Sequence, residues 1–285
     1  MSEAAPSADV PPTSPRLPLN LLVGASLVGI VMLAALVSLF WTPGSATVIA
    51  IGQKLQPLSA AHWLGTDQFG RDEASMLMVG ARNSILVAIV AVAIGLGCGV
   101  VIGLEAAAHR GWAEELSMRA SDVLFAFPAI LGAVMMTAIL GPGAVNAMIA
   151  IGIYNVPVFA RLSRAAAAQM WERDFVRAAR LAGKGQARIS VEHVLPNIAA
   201  ILIVQGTIAF ATAILAEAAL SYLGLGTQPP QPSWGRMLND AQTYLYQKPA
   251  LAIFPGAAIA IAVLGLNLLG DGLRDLLDPR LARTR

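Results

Sequence analysis

The 21 residues from Ser84 to Leu104 carry no charged side chain and include twelve Ile, Leu or Val residues. At about −0.3 to −0.6 kcal/mol each, those twelve favour lipid over water by roughly 4 to 7 kcal/mol. A run of that length is what an α-helix needs to cross hydrocarbon. Further apolar runs at 19–41, 123–141, 145–160, 198–222 and 251–270 bring the expected count to six spans. Only 13% of the 285 residues are charged, about half the share of an average soluble domain. The sequence therefore predicts an all-α membrane protein.

Around these spans the expected organisation is simple. Residues 1–18 are rich in Pro, Ser and Ala without apolar period and read as a disordered tail. The run at 19–41 is longer than the core of a cleavable signal peptide and reads as an uncleaved first span. Residues 42–83 form a segment outside the bilayer, 84–270 hold the other five spans and the loop 161–197, and 271–285 form a second tail. The fourth span is short and interrupted by Asn155 and Pro157. Gly95, Gly99 and Gly103 recur every fourth residue, a pattern that permits a tight helix crossing but also arises from general small-residue content.

Charge gives the orientation. With the N-terminus in the cytoplasm, the inside segments hold 14 of the 19 Lys and Arg residues and the outside segments 5, which places both termini and the loop 161–197 inside. A net charge of +2 distributed this way excludes a nucleic-acid binder that relies on phosphate neutralisation. Cys98 is the single cysteine, so no disulfide is available within the chain, and it reads as a small packed hydrophobe. His62, His109 and His193 fall in separate loops and cannot converge on one metal or activate a serine. No metal site is expected. The spans also lack the several ionisable groups that a proton-coupled carrier uses as a relay.

The loop is the most informative segment. Arg173, Arg177, Arg180 and Lys184 are spaced to share one helix face, with Phe175, Ala178, Ala179 and Ala182 on another. Gly183 and Gly185 then allow a turn, and Pro196 suits the start of a new helix. Composition alone fits either a basic loop on lipid headgroups or a surface that docks into a protein groove. AGKGQ at 182–186 is not a phosphate-binding loop, because Ala178 and Gly185 stand where a Gly and a Ser or Thr are required.

Residue order separates the two readings. Ala178 and Ala179, then Gly183, Ile189, His193, Leu195 and Pro196, resemble the EAA loop of ATP-binding-cassette importer permeases. HWLGTDQFGRD at 62–72, ILAEAALSYLGLGTQPPQPSWGRML at 214–238 and NLLGDGLRDLLDPRL at 267–281 are similar to the second permease of dipeptide, oligopeptide and nickel importers. The resemblance implies a MetI-like type I permease fold with an EAA coupling loop. The implied partners are a homologous permease, two ATPase subunits that carry the ATP and Mg, and a periplasmic or extracellular solute-binding protein. No cofactor bound by this chain and no chemistry of its own are implied.

The implied ATPase contact falls on Ala178, Ala179, Gly183, Ile189, His193, Leu195 and Pro196; Arg177 stands where the family has its Glu, and Asp174 is the nearest acidic substitute. Docking of the binding protein is implied at His62, Gly65, Thr66, Asp67, Gly70, Arg71, Asp72 and Trp234. Glu217, an acid inside an apolar run, is expected to position helices. The solute reads as a short peptide, because the spans hold no His and one Cys with which to bind nickel, whereas Gly95, Gly99, Ala209, Ala211 and Ala213 suit a wide cavity. A chelated nickel ion, an opine or glutathione remain alternatives, and an autonomous secondary carrier is a distant one.

Overall fold

In the computed structural model, which describes residues 18–109 and 111–277, the chain is helical apart from turns and one isolated antiparallel bridge between Thr66 and Asp72. The expected tail 1–17 and the end of the second tail, 278–285, lie outside the described residues. The helices are α1 (Leu19–Val37), α2 (Glu73–Ala108), α3 (Trp112–Phe125), α4 (Ala129–Leu140), α5 (Ala144–Trp171), α6 (Asp174–Leu181), α7 (Gln186–Ile189), α8 (Leu195–Tyr222), α9 (Trp234–Ala241) and α10 (Ala250–Leu277).

Among the described residues, five helices are long and apolar enough to cross a membrane, and α3 with α4 make a sixth span only as a pair bent by 85°. The expected third span, 123–141, is therefore not one straight helix. Pro128 has no N–H to donate and disfavours helix in the residue before it, so the helix stops at Phe125 and restarts at Ala129. Chain path makes the pair a crossing. The far end of α2 packs with Trp171 through Leu104 and Ala107. The start of α5 instead sits beside the other end of α8, where the Gly143 N–H bonds to the Leu225 carbonyl.

Other boundaries also move. The second span lies within a 36-residue helix that begins at Glu73, and the fourth continues to Trp171, beyond the expected end at 160. Arg161 and Arg164 stay in that helix because Asp122 and Glu114 of α3 pair with them. Pro196 does not open a new helix: α7, a π-turn at Ser190–Val194 and α8 run continuously over Gln186–Tyr222. The π-turn precedes the proline, and the Leu195 N–H reaches back to the Ser190 carbonyl.

Glycine sets two close helix contacts. A Cβ at Gly95, Gly99 or Gly103 would lie within 2.5 Å of α5 atoms, such as 2.5 Å from the Val156 carbonyl oxygen at Gly99. The stripe is thus a tight crossing of α2 on α5. Cys98 is on the outer side of the same helix and exposed, contrary to the packed position expected. A second seam joins α1 and α10 antiparallel, with Gly24 against Leu269 and Gly272 against Leu21. Leu19 and Leu277 therefore lie at one end of the bundle, as an even number of crossings requires. Gly99→Val should lower the melting temperature of the purified protein, since overpacking costs about 1–3 kcal/mol. Gly97→Ala, with nothing within 4 Å, should leave it unchanged or raise it.

Candidate functional site

Two buried clusters divide the bundle. One groups Met76, Val79, Ile214, Trp234 and Met237 towards the end that carries segment 38–72. The other groups Leu104, Phe159, Trp171, Val176, Ala179, Ile189 and Val194 at the opposite end. Segment 172–194 thus has an inner face built into the ends of α2 and α5. Ala179 belongs to that face, at 8% exposure, so its expected place beside Ala178 on an outward docking face is corrected: Val176 and Ala179 sit three apart and turn inward together.

The apolar side chains the segment presents outward include Phe175, Ala178, Leu181, Ala182 and Val191, with Leu181 91% exposed. Leu181 was missed in the sequence because it breaks the small-residue pattern, although an apolar side chain beside a glycine turn on a basic helix is a visible signal. Gly183 makes the turn at φ +80, whereas Gly185 has ordinary backbone. Lys184 clasps the turn, its Nζ 2.6 Å from Glu192 Oε2 and 2.9 Å from His193 Nε2, and Arg188 Nε donates to Glu192 Oε1 at 2.6 Å. His193 also meets Phe175 edge-on. Arg180 lies over the Trp171 ring and fixes α6 to α5. Asp174 and Arg177 are exposed and 3.4 Å apart. Ile189 is fully buried, Leu195 half-buried and Pro196 exposed.

At the other end, residues 62–72 form an ordered knot. Asp67 accepts from the backbone N–H groups of Phe69 and Arg71 and pairs with the Arg71 side chain, which reaches Asp240 of α9 at 3.2 Å. Asp72 caps α2 through Ser75 and holds His62 Nδ1 at 2.9 Å. Gly65 and Gly70 take positive φ, and a Cβ at Gly70 would lie 1.9 Å from the Ala50 carbonyl oxygen. Thr66 bonds to the Gln53 carbonyl, and Trp234 Nε1 to that of Leu77.

These residues were expected to touch a binding protein, but Gly65, Thr66, Asp67, Gly70, Arg71, Asp72 and Trp234 are buried and His62 half-buried. They hold the segment's shape. The side chains exposed at this end include Val48, Ile51, Trp63, Phe69 and Tyr246. Gly, Asp and Arg spacing revealed an ordered turn; it carried no signal for the apolar residues between.

Glu73 lies inside this knot, eleven residues before Ser84 and so about 16 Å outside the apolar stretch at 1.5 Å per residue. It is 2% exposed and its Oε1 lacks a hydrogen-bond partner. Burial, reinforced by Asp67, pushes its carboxyl up to about 8, against the opposing pull of Lys248 and Arg71. Lys248 donates to the carbonyls of Gln56 and Thr66, and burial moves its ammonium downward. Because the folded pKa of Glu73 exceeds the unfolded value of 4.5, its contribution is most favourable below pH 4.5 and is lost as pH rises through about 8. Thermal stability of the purified chain should fall across that window, by an amount on the order of a few kcal/mol. Glu73→Gln should flatten the profile, and an unchanged slope would contradict this account.

Glu217 is fully buried in α8 and accepts hydrogen bonds from Ser84 of α2 at 2.8 Å and Ser221 at 2.6 Å, with Thr227 at 3.4 Å. It joins two spans and the turn that follows α8.

Residues 95–283 match the family model of the binding-protein-dependent transport system inner membrane component. The dipeptide transport system permease protein DppC of Alkalihalophilus pseudofirmus is 44% identical over 91% of this chain and 86% of its own length. The di/tripeptide transport system permease protein DppC of Pseudomonas aeruginosa is 49% identical over 76% and 72%. The glutathione transport system permease protein GsiD of Pectobacterium atrosepticum is 44% identical over 78% and 74%. With its helical spans, its segment 172–194 built into their ends, and these matches over most of its length, the chain belongs to the family of binding-protein-dependent transport system inner membrane components.

Proposed function

We propose that this chain is the permease subunit of an ATP-driven importer of short peptides, working beside a homologous permease, two ATPase subunits and a solute-binding protein. The observation that carries the coupling role is the two-sided segment 172–194. Val176, Ala179, Ile189 and Val194 weld its inner face to α2, α5 and α8, while Phe175, Leu181 and Val191 face out. A push on that outer face reaches the spans through packed side chains. The excess of Lys and Arg at this end, 14 of 19, supports a cytoplasmic position for it and for both termini.

Peptides are favoured as solute by the relatives: two are named for di- or tripeptides and a third for glutathione, itself a tripeptide. ATP is hydrolysed on the partner subunits, and this chain performs no covalent chemistry. The test is uptake of labelled dipeptide, tripeptide and nickel in a strain that lacks only this chain. Loss of both peptide signals is expected; loss of nickel uptake with peptide uptake intact would overturn the reading.

A further inference from the structure

The bend between α3 and α4 borders a cleft of about 420 Å³ between α4, α5 and α8, open on the side where Phe125, Phe127, Ile130, Thr212 and Leu215 are exposed. That volume lies within the roughly 300–1,000 Å³ typical of small-ligand pockets. Three independent paths place it at one depth. α4 has 12 residues, so the break is about 18 Å from Leu140; Asn155 is about 17 Å along α5 from Ala144, and Thr212 about 15 Å along α8 from Tyr222. All three start from the end where Gly143 bonds to Leu225. In a hydrocarbon layer about 30 Å thick, the cavity is at the midplane.

Backbone at that depth that is not helical is tolerated only inside protein or beside water. Phe127 belongs to the non-helical turn and lines the cavity. Polar groups line it too. Thr212 gives its hydroxyl proton to the Ala209 carbonyl and Asn155 one amide proton to that of Ile151, which leaves acceptor lone pairs on both. Tyr154 lays its hydroxyl over Gly132, where a Cβ would be 1.5 Å away. No Asp, Glu, Lys, Arg or His lines the space. A bare divalent ion would find no charged ligand there, whereas a peptide has amide groups that match neutral donors and acceptors. Of the small residues expected to widen the path, Gly95 and Gly99 are filled by α5, Ala209 and Ala211 do not line the cleft, and Ala213 does.

We infer that this midplane cavity is a wet, solute-contacting section of the permeation path, where Tyr154, Asn155 and Thr212 offer neutral hydrogen bonds to a short peptide. The inference rests on the peptide-importer reading. Its test uses the assembled importer with Cys98→Ser and one new cysteine, Thr212→Cys, with Ile30→Cys on the exposed side of α1 as the lipid-facing control. A membrane-impermeant thiol reagent should modify Thr212→Cys at least about tenfold faster than the control. Saturating dipeptide with its binding protein should slow that reaction.

Modification of Thr212→Cys by lipid-soluble reagents alone would mean that lipid fills the cavity and would overturn the inference. Protection in the importer without solute, with reactivity in the lone chain, would mean that a helix of the second permease fills it, and would overturn it too. Peptide uptake by the Cys98→Ser importer that carries no new cysteine separates the two readings. An importer that takes up no peptide fails the functional proposal, whereas one that takes up peptide with Thr212→Cys unreactive fails the cavity assignment alone.

Discussion

Leu181→Asp is expected to abolish ATP-driven uptake while the chain inserts, folds and assembles with its partner permease. The side chain is 91% exposed and sits next to the Gly183 turn, so an aspartate there costs the isolated chain little. In a groove on an ATPase the same change removes an apolar anchor and buries a charge, a loss of about 2 kcal/mol or more and roughly 30-fold in affinity. Basal ATPase activity should persist on the partner subunits and cease to respond to loaded binding protein. Ala179→Glu is the informative contrast. Ala179 belongs to the inner cluster with Val176 and Val194, so a buried carboxylate should lower the amount of folded chain instead of merely uncoupling it. Normal uptake by Leu181→Asp would remove the outer face from the coupling mechanism.

That contrast shows where residue patterns are legible and where they stop. Apolar run length locates spans because hydrocarbon thickness is fixed, and Ser84–Leu104 was found within its helix on that ground alone. It fails at helix ends that continue past the lipid. Arg161 and Arg164 ended the apolar count for α5, yet Asp122 and Glu114 pair with them and the helix runs on to Trp171. It is equally blind to a bend: Val123 to Gly141 carries no charge, and Pro128 was the mark of the break.

Motif residues carry a different limitation. Asp67, Gly70 and Arg71 stand out in the sequence because a turn with positive φ and a buried ion pair tolerates few other residues. Such a pattern reports what shapes a segment. The exposed side chains at this end, among them Trp63 and Phe69, answer to no such constraint and leave no spacing to read. Ala179 was misplaced for a related reason: a small residue is compatible with a docking face and with a close internal contact, and only the direction of its neighbour Val176 decides between them.

Glu217→Ala is expected to cause the largest loss of stability of any single change within the spans. The carboxylate is fully buried, and its removal leaves the hydroxyls of Ser84 and Ser221, both fully buried, without their acceptor. At about 1–3 kcal/mol for each unsatisfied buried group, the cost is roughly 2–6 kcal/mol before any cavity is counted. Ser84 is on α2 and Thr227 lies beyond the end of α8, so the loss loosens two spans and the turn together. Glu217→Gln should be milder, because the amide keeps the shape and one carbonyl oxygen, and a serine hydroxyl can reverse to accept from the new NH₂. The pair of variants also separates positioning from solute contact. A positioning residue predicts uptake that tracks the amount of folded importer in both variants, with near-normal uptake per folded complex for Glu217→Gln. Glu217 points towards α2, while Thr212 and Ala216 of the same helix line the midplane cavity, which favours that outcome. A Glu217→Gln importer with a wild-type melting temperature and no uptake would instead put this carboxylate in contact with the solute.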